Sequence, residues 1–177
     1  MEDEKFYGIF VRYFLIILSA FPSLYIFYLI FTPLTVYGVY FLFSLFFPVA
    51  LFGTELILRD GIVISIIPGC VAGAAYYLLF MLNMSVPNIK FCKRISLIFI
   101  IFFFFFIFNV IRIFFLGILY FYEVPLFDLL HKVLWYFGSV FLTVGMWFLE
   151  VYFFEIKEVP FYSDLKFLYK KSFFGKK

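Results

Sequence analysis

From Tyr13 to Phe31 the chain is apolar except at Ser19 and Ser23, and the same texture returns over Leu34–Phe52, Cys70–Val86, Ile95–Tyr120 and Val133–Phe153. A helix that is hydrophobic on every side has no face for water, and about 20 apolar residues cross the hydrocarbon core of a bilayer. The pattern therefore predicts an all-α, polytopic membrane bundle of about five transmembrane helices. Only Thr32-Pro33 separates the first two, which predicts a tight antiparallel hairpin; Pro22 is read as a kink inside the first, and Gly53-Thr54-Glu55 as the end of the second. The texture then changes. Glu55, Arg59 and Asp60 bring charge, Asp60-Gly61 reads as a turn, and Ile62–Ile67 is β-branched and too short to span, so a short extended or re-entrant segment is expected before Cys70. Residues 1–54 are read as an N-terminal transmembrane hairpin, 55–154 as the core that carries any chemistry, and 155–177 as a basic amphipathic tail, all in one integral membrane domain.

Composition strengthens this reading. The 177 residues are 67% hydrophobic and 28% aromatic, with 33 Phe and 14% charged residues, whereas soluble proteins are about 45–50% apolar and about 25% charged. No room remains for a large domain outside the membrane. The net charge of +3 matters less than its distribution: Glu2, Asp3 and Glu4 open the chain, while Lys90, Lys93 and Arg94, then Lys166, Lys170, Lys171, Lys176 and Lys177, form basic clusters. These cations are too scattered among Phe and Tyr for a nucleic-acid site and fit a cytoplasmic rim, because Lys and Arg beside spans mark the inner face. With five spans, parity puts the segment before Cys70, the end of the fourth span and the loop holding His131 on the outer side of a plasma membrane. The C-terminus is then cytoplasmic and the N-terminus outside, against the pull of Lys5 and Arg12. Two cysteines, Cys70 and Cys92, make neither a disulfide framework nor a metal spacing, no cofactor is expected, and the run after Arg12 lacks the pattern of a cleavable signal peptide.

A few polar residues stand out against this background. An arginine at the centre of a spanning helix costs roughly 2.5–3.5 kcal/mol on insertion scales and is kept for a pathway, a binding site or a buried partner. Arg112 lies inside the fourth span, with Asn109 three residues earlier on the same helical face; the plainer alternative is that Arg112 snorkels to the outer headgroups. Cys70 follows Pro68-Gly69 at the expected start of the third span, where free N–H groups and the helix dipole favour a reactive thiolate. Gly69 and Gly73, four apart, permit close approach of a neighbouring backbone. Alternatively, Cys70 is a small inert hydrophobe. His131 is the only histidine, a residue type that exchanges protons near neutral pH, and Asp128 is placed to fix its tautomer if that segment is helical; otherwise His131 is a solvated loop residue. Cys, His and Arg together supply a nucleophile, a general acid and base, and a cation for an oxyanion. That set suffices for acyl transfer from a peptide carbonyl, with Asn109, Gly73 and Asp128 as supporting or substrate-binding residues.

The run Cys70-Val71-Ala72-Gly73-Ala74-Ala75-Tyr76-Tyr77-Leu78-Leu79, then Asn109-Val110-Ile111-Arg112-Ile113, then His131, resembles the ordered core of the exosortase and archaeosortase family of membrane cysteine transpeptidases over about residues 55 to 150. The Asn-x-x-Arg-Ile element is its most specific part. The resemblance implies Cys70 as nucleophile, Arg112 as the group that binds the substrate carbonyl or stabilises the oxyanion, and His131 as general acid and base. It also implies the partners: a secreted protein bearing a C-terminal sorting signal of short motif, membrane helix and basic tail, cut at the outer face and passed to an acceptor, a membrane lipid. The chain is shorter than many members, and Ala74 stands where a serine is expected in close relatives.

The leading expectation is accordingly a protein-sorting transpeptidase that works through a Cys70 thioester, shielded from water by Ile62–Ile67. One alternative is a non-enzymatic membrane subunit or small transporter in which Arg112 and Asn109 line a polar pathway. Another is a simple intramembrane cysteine protease with water as acceptor.

Overall fold

The long apolar run around Phe102–Phe106 folds into one helix, α5 (Phe91–Phe121), whose 31 residues extend about 46 Å at 1.5 Å each. Its inward stripe recurs every four residues or nearly so: Arg94, Leu97, Ile101, Phe105, Asn109, Ile113 and Gly117 are buried, while Phe99, Phe103, Phe104 and Phe108 face outward. The computed structural model describes residues 2–156 and 158–171; Lys176 and Lys177 of the basic tail lie outside them.

Against α5 pack α2 (Tyr25–Ser44), α4 (Gly73–Ser85), α6 (Phe127–Val133) and α7 (Ser139–Phe153), while α1 (Glu2–Ala20) packs on α4 and the short turn α3 (Pro68–Val71) on α2, and α8 (Tyr162–Lys171) follows. Among the described residues, three helices are long and apolar enough to cross a membrane: Tyr25–Ser44, Phe91–Phe121 and Phe127–Phe153, with mean hydropathies of 1.8, 2.7 and 1.4. The protein is thus mostly helical, with fewer such spans than the five expected. Three local events account for the difference.

The first expected span is two helices. Ser23 and Leu24 adopt left-handed backbone with φ of 50° and 60°, so the chain breaks after Ala20 and α2 begins at Tyr25. Thr32-Pro33, read as the turn, lies inside α2; proline is tolerated in apolar helices of this kind because neighbouring groups re-satisfy the freed carbonyl. The second expected span stops at Ser44, because after Pro48 the chain is extended: β1 (Val49–Phe52) pairs antiparallel with β2 (Glu55–Leu58), and β2 with β3 (Val63–Ser65). Gly53 supplies the positive φ of 61° that a two-residue hairpin turn requires. The extended segment expected before Cys70 is therefore the third strand of a sheet. Leu56 and Leu58 turn inward from it, and Gly117 of α5 leaves the room its neighbours occupy: a Cβ there would lie 2.6 Å from the Phe43 ring and 3.1 Å from Ile64. The third expected span is cut at Ala72 (φ 60°, ψ 42°), leaving an α4 of 13 residues.

Contacts fix the direction of each helix. Phe27 and Phe31 of α2 meet Phe102, Gly38 faces Val110, and Phe43 meets Phe114, so α2 runs parallel to α5. Tyr76 of α4 meets Phe102 and Phe105, while Arg94 bonds Asn83, so α4 runs antiparallel to α5, as does α7 through Arg112–Ser139 at one end and Asn83–Glu150 at the other. Arg12 of α1 lies at the C-terminal end of α4, and Tyr77 hydroxyl donates to Ile16 carbonyl. The chain therefore enters through α1 and continues in the same sense through α2, and residues 1–54 are not an antiparallel hairpin.

One consequence corrects the expected parity: Arg12 sits at the same end of the bundle as Arg94 and α8. There the last carbonyls of α4, which lack partners within their helix, are collected by two arginines. Arg94 donates to Asn83, Met84 (3.0 Å) and Val86 (2.7 Å) carbonyls, and Arg12 to Met84 (3.2 Å) and Val86 (3.0 Å). Arg12 also forks onto both oxygens of Asp164 at 2.8 and 2.9 Å, tying α8 to the bundle.

Candidate functional site

Cys70 occupies the four-residue turn α3, not the first turn of a long helix. The left-handed Ala72 ends that turn, and the Cys70 N–H already donates to Ile67 carbonyl at 2.8 Å. The helix-start activation expected for the thiol therefore has no long helix behind it. The same break has a second effect: the Cys70 carbonyl is released from the helical ladder and taken by side chains of α5. Asn109 Nδ2 donates to it at 3.0 Å and to Val71 carbonyl at 3.4 Å, and Arg112 Nη2 donates to it at 3.3 Å. Asn109, 1% exposed, thus stands behind the cysteine turn as its support.

Arg112 does not snorkel. Its Nη1 donates to Ser139 Oγ at 2.7 Å, and its Nε is buried without a hydrogen-bond partner. Ser139 is brought into reach by a π-helical turn, Leu134–Gly138, that joins α6 to α7; turns of this kind recur at functional sites. Ser139 Oγ also reaches Leu134 carbonyl at 3.3 Å, and Thr143 hydroxyl donates to Ser139 carbonyl at 2.6 Å.

His131 lies on helix α6 instead of in a loop, half-buried, with its ring 5.4 Å from Phe127 and 6.0 Å from Trp135. Asp128 is exposed one turn earlier, and among the described residues no hydrogen bond joins it to His131. Trp135 points the Cη2 corner of its indole at Gly69: a Cβ on Gly69 would stand 2.0 Å from that atom. Gly73 likewise admits the Tyr28 ring, 2.7 Å from such an atom. The two glycines thus accommodate aromatic rings, where the sequence suggested backbone contact.

Cys70, Arg112 and His131 meet as walls of one pocket of about 200 Å³. Ile64 and Ser65 of β3 close one side, and Leu116, Tyr120, Phe127, Leu134 and Trp135 make the rest largely apolar. Three elements far apart in sequence thus bring a thiol, a guanidinium and an imidazole to a cavity about the size of one large side chain. A neighbouring groove of about 300 Å³ between α4 and α7 shares Gly69, Trp135 and Ser139 with this region. A larger pocket of about 570 Å³ lies at the opposite end, where Arg12 and Arg94 are occupied by carbonyls and Asp164, and Cys92 is exposed at that end too. Ser139 and Trp135 were not singled out from the sequence; a serine inside an apolar span is a visible signal, but its register against Arg112 depends on the π-helical turn.

Models of known families, curated proteins and solved structures offer no match to this chain.

Proposed function

We propose that the protein is a membrane cysteine transpeptidase that cuts the C-terminal sorting segment of a membrane-embedded protein substrate and passes the new C-terminus to an acceptor. The observation that carries this reading is the convergence of Cys70, Arg112 and His131 on one pocket, the three residues that the resemblance to exosortases and archaeosortases singles out. In this reading the Cys70 thiolate attacks the scissile carbonyl, and the guanidinium of Arg112 stabilises the oxyanion. Arg112 suits that task because it lines the pocket beside Cys70, where its bonds to Ser139 Oγ and the Cys70 carbonyl fix the plane of the group. His131 returns a proton to the leaving amine and then takes one from the acceptor. A lipid amine or hydroxyl is the proposed acceptor, and the apolar walls, with β3 as cover, give the thioester time to meet it. The groove beside Trp135 gives a substrate helix a place to lie.

Sidedness belongs to the same reading. Arg12, Lys90, Lys93 and Arg94 gather at one end of the bundle, which the positive-inside tendency makes cytoplasmic, so the Cys70 pocket opens at the outer face of the cell membrane. The alternative with Asn109 and Arg112 lining a polar conduit has less support, since the Asn109 amide N–H groups are turned to the Cys70 and Val71 carbonyls.

The test is C-terminal mapping of membrane and surface proteins from cells carrying the wild type or Cys70→Ala. The proposal expects a set of proteins that lose their C-terminal helix and basic tail only with the wild type, and whose new C-termini carry an adduct. Identical C-termini in both strains would sink it, and free carboxylates in place of adducts would convert it to hydrolysis.

A further inference from the structure

Far from the Cys70 pocket, the bundle buries a carboxyl group that plays no part in the proposed transpeptidation. Glu150 on α7 is 5% exposed and faces Asn83 on α4, which is 0% exposed. Asn83 Nδ2 donates to Glu150 Oε2 at 2.8 Å and to Leu79 carbonyl at 3.2 Å. The second oxygen of each side chain, Glu150 Oε1 and Asn83 Oδ1, is buried with no hydrogen-bond partner. Both are acceptors when the carboxyl is ionised, so neither can serve the other, and a buried acceptor left bare costs about 1–3 kcal/mol, more if charged.

One proton resolves both. A carboxylic acid and a primary amide complete each other: the amide N–H bonds one carboxyl oxygen, and the O–H on the other carboxyl oxygen returns to the amide oxygen. The first half of that ring is already in place. We propose that Glu150 and Asn83 form a proton-binding site within the bundle, in which Glu150 is the neutral acid and its Oε1–H donates to Asn83 Oδ1, tying α7 to α4. The proton comes from solvent as the helices pack, and no other bond changes.

The charged neighbours leave this role open. α7 packs on α4 and α5. From α5, Arg94 is turned to the Asn83, Met84 and Val86 carbonyls and not to Glu150; from α1, Arg12 is held by Asp164 of α8. On the α7 side Glu155 lies just past the helix end and is exposed. A metal cation in place of the proton needs about six oxygen ligands, and among the described residues no group of three or more His, Cys, Asp or Glu gathers to hold one. An ionisable residue inside a membrane bundle is a functional site by default, and here the ligand is a proton. Because the folded state holds this proton while an exposed carboxyl releases it, stability declines as pH rises.

The test uses the purified full-length protein in detergent at neutral pH. The infrared difference between wild type and Glu150→Gln is expected to show the carbonyl stretch of one protonated carboxyl group, displaced in Asn83→Ala. Glutamine is isosteric with the neutral acid and can donate to Asn83 Oδ1, so Glu150→Gln is expected to fold, and its thermal midpoint should fall less than that of the wild type as pH is raised. If Glu150→Gln fails to accumulate, ¹³C-carboxyl labelling of glutamate in wild type and Asn83→Ala reads the same protonation state. Carboxylate signals assigned to Glu150 at neutral pH would overturn the proposal. So would a rise in the wild-type midpoint when choline is replaced by sodium at constant ionic strength, which assigns the site to a cation.

Discussion

Gly69 is the position where one added methyl group tests the architecture of the pocket. Its ideal Cβ would lie 2.0 Å from Trp135 Cη2, 2.8 Å from Cζ2 and 3.0 Å from Cζ3, whereas ordinary carbon contact begins at 3.4 Å, so Gly69→Ala forces the ring back by about 1.4 Å. The indole cannot yield by swinging a flexible end, since it is a rigid plate between Gly69 and His131. Overpacking of this kind costs about 1–3 kcal/mol. Because Trp135 also walls the Cys70 pocket, the strain reaches the thiol. The assay is thermal unfolding of the purified protein in detergent, read together with the rate of Cys70 alkylation by a small maleimide in a Cys92→Ser background. Gly69→Ala is expected to be less stable than its parent by that amount and to change the alkylation rate. Adding Trp135→Leu should recover at least about 1 kcal/mol, since contacting residues couple by about 0.5–3 kcal/mol. Purely additive effects of the two substitutions, with Cys70 alkylation unchanged, would show that Trp135 does not lie on Gly69.

Ser139→Ala removes the acceptor for Arg112 Nη1 and leaves that donor bare, a loss of about 1–3 kcal/mol in stability together with reduced Cys70-dependent processing; Ser139→Thr, which keeps the hydroxyl, should retain more of both. Asp164→Asn removes the carboxylate clamped by Arg12, whose side chains are 14% (Arg12) and 4% (Asp164) exposed. Breaking so enclosed a pair costs about 3 kcal/mol, and limited proteolysis should release α8 before the rest of the chain. A membrane-impermeant thiol reagent applied outside intact cells should label Cys70 and spare Cys92; labelling of Cys92 alone would reverse the proposed orientation.

The helical class, and the presence of helices long and apolar enough to cross a membrane, were legible because they rest on composition and on runs such as Ile95–Phe108. The grouping of Asn109 with Arg112 was legible from three-residue helical spacing, and their approach to Cys70 followed from antiparallel neighbours. Other features depend on backbone conformations that leave little trace in hydropathy. Ser23 and Leu24 carry positive φ without a glycine to announce it, while the conspicuous Thr32-Pro33 passes through a helix. Val49–Phe52 is as apolar as the span before it, and only its pairing with Glu55–Leu58 makes it a strand. Ala72 in left-handed backbone separates Cys70 from α4 and so changes the expected basis for thiol activation, and it also frees the carbonyl that Asn109 and Arg112 bind. Arg12, which argued against the expected parity, proves to cap α4 at the same end as Arg94.

The central claim is that Cys70 forms a thioester with its substrate, and intact-protein mass spectrometry of the acid-quenched wild type from its native membrane tests it most directly. Acid stops transfer to the acceptor and leaves a thioester intact, so acyl-enzyme present during turnover is retained. The account predicts a hydroxylamine-labile adduct on Cys70, absent from Cys70→Ser. An unmodified Cys70, alongside unchanged substrate C-termini when Cys70 is replaced, would contradict it.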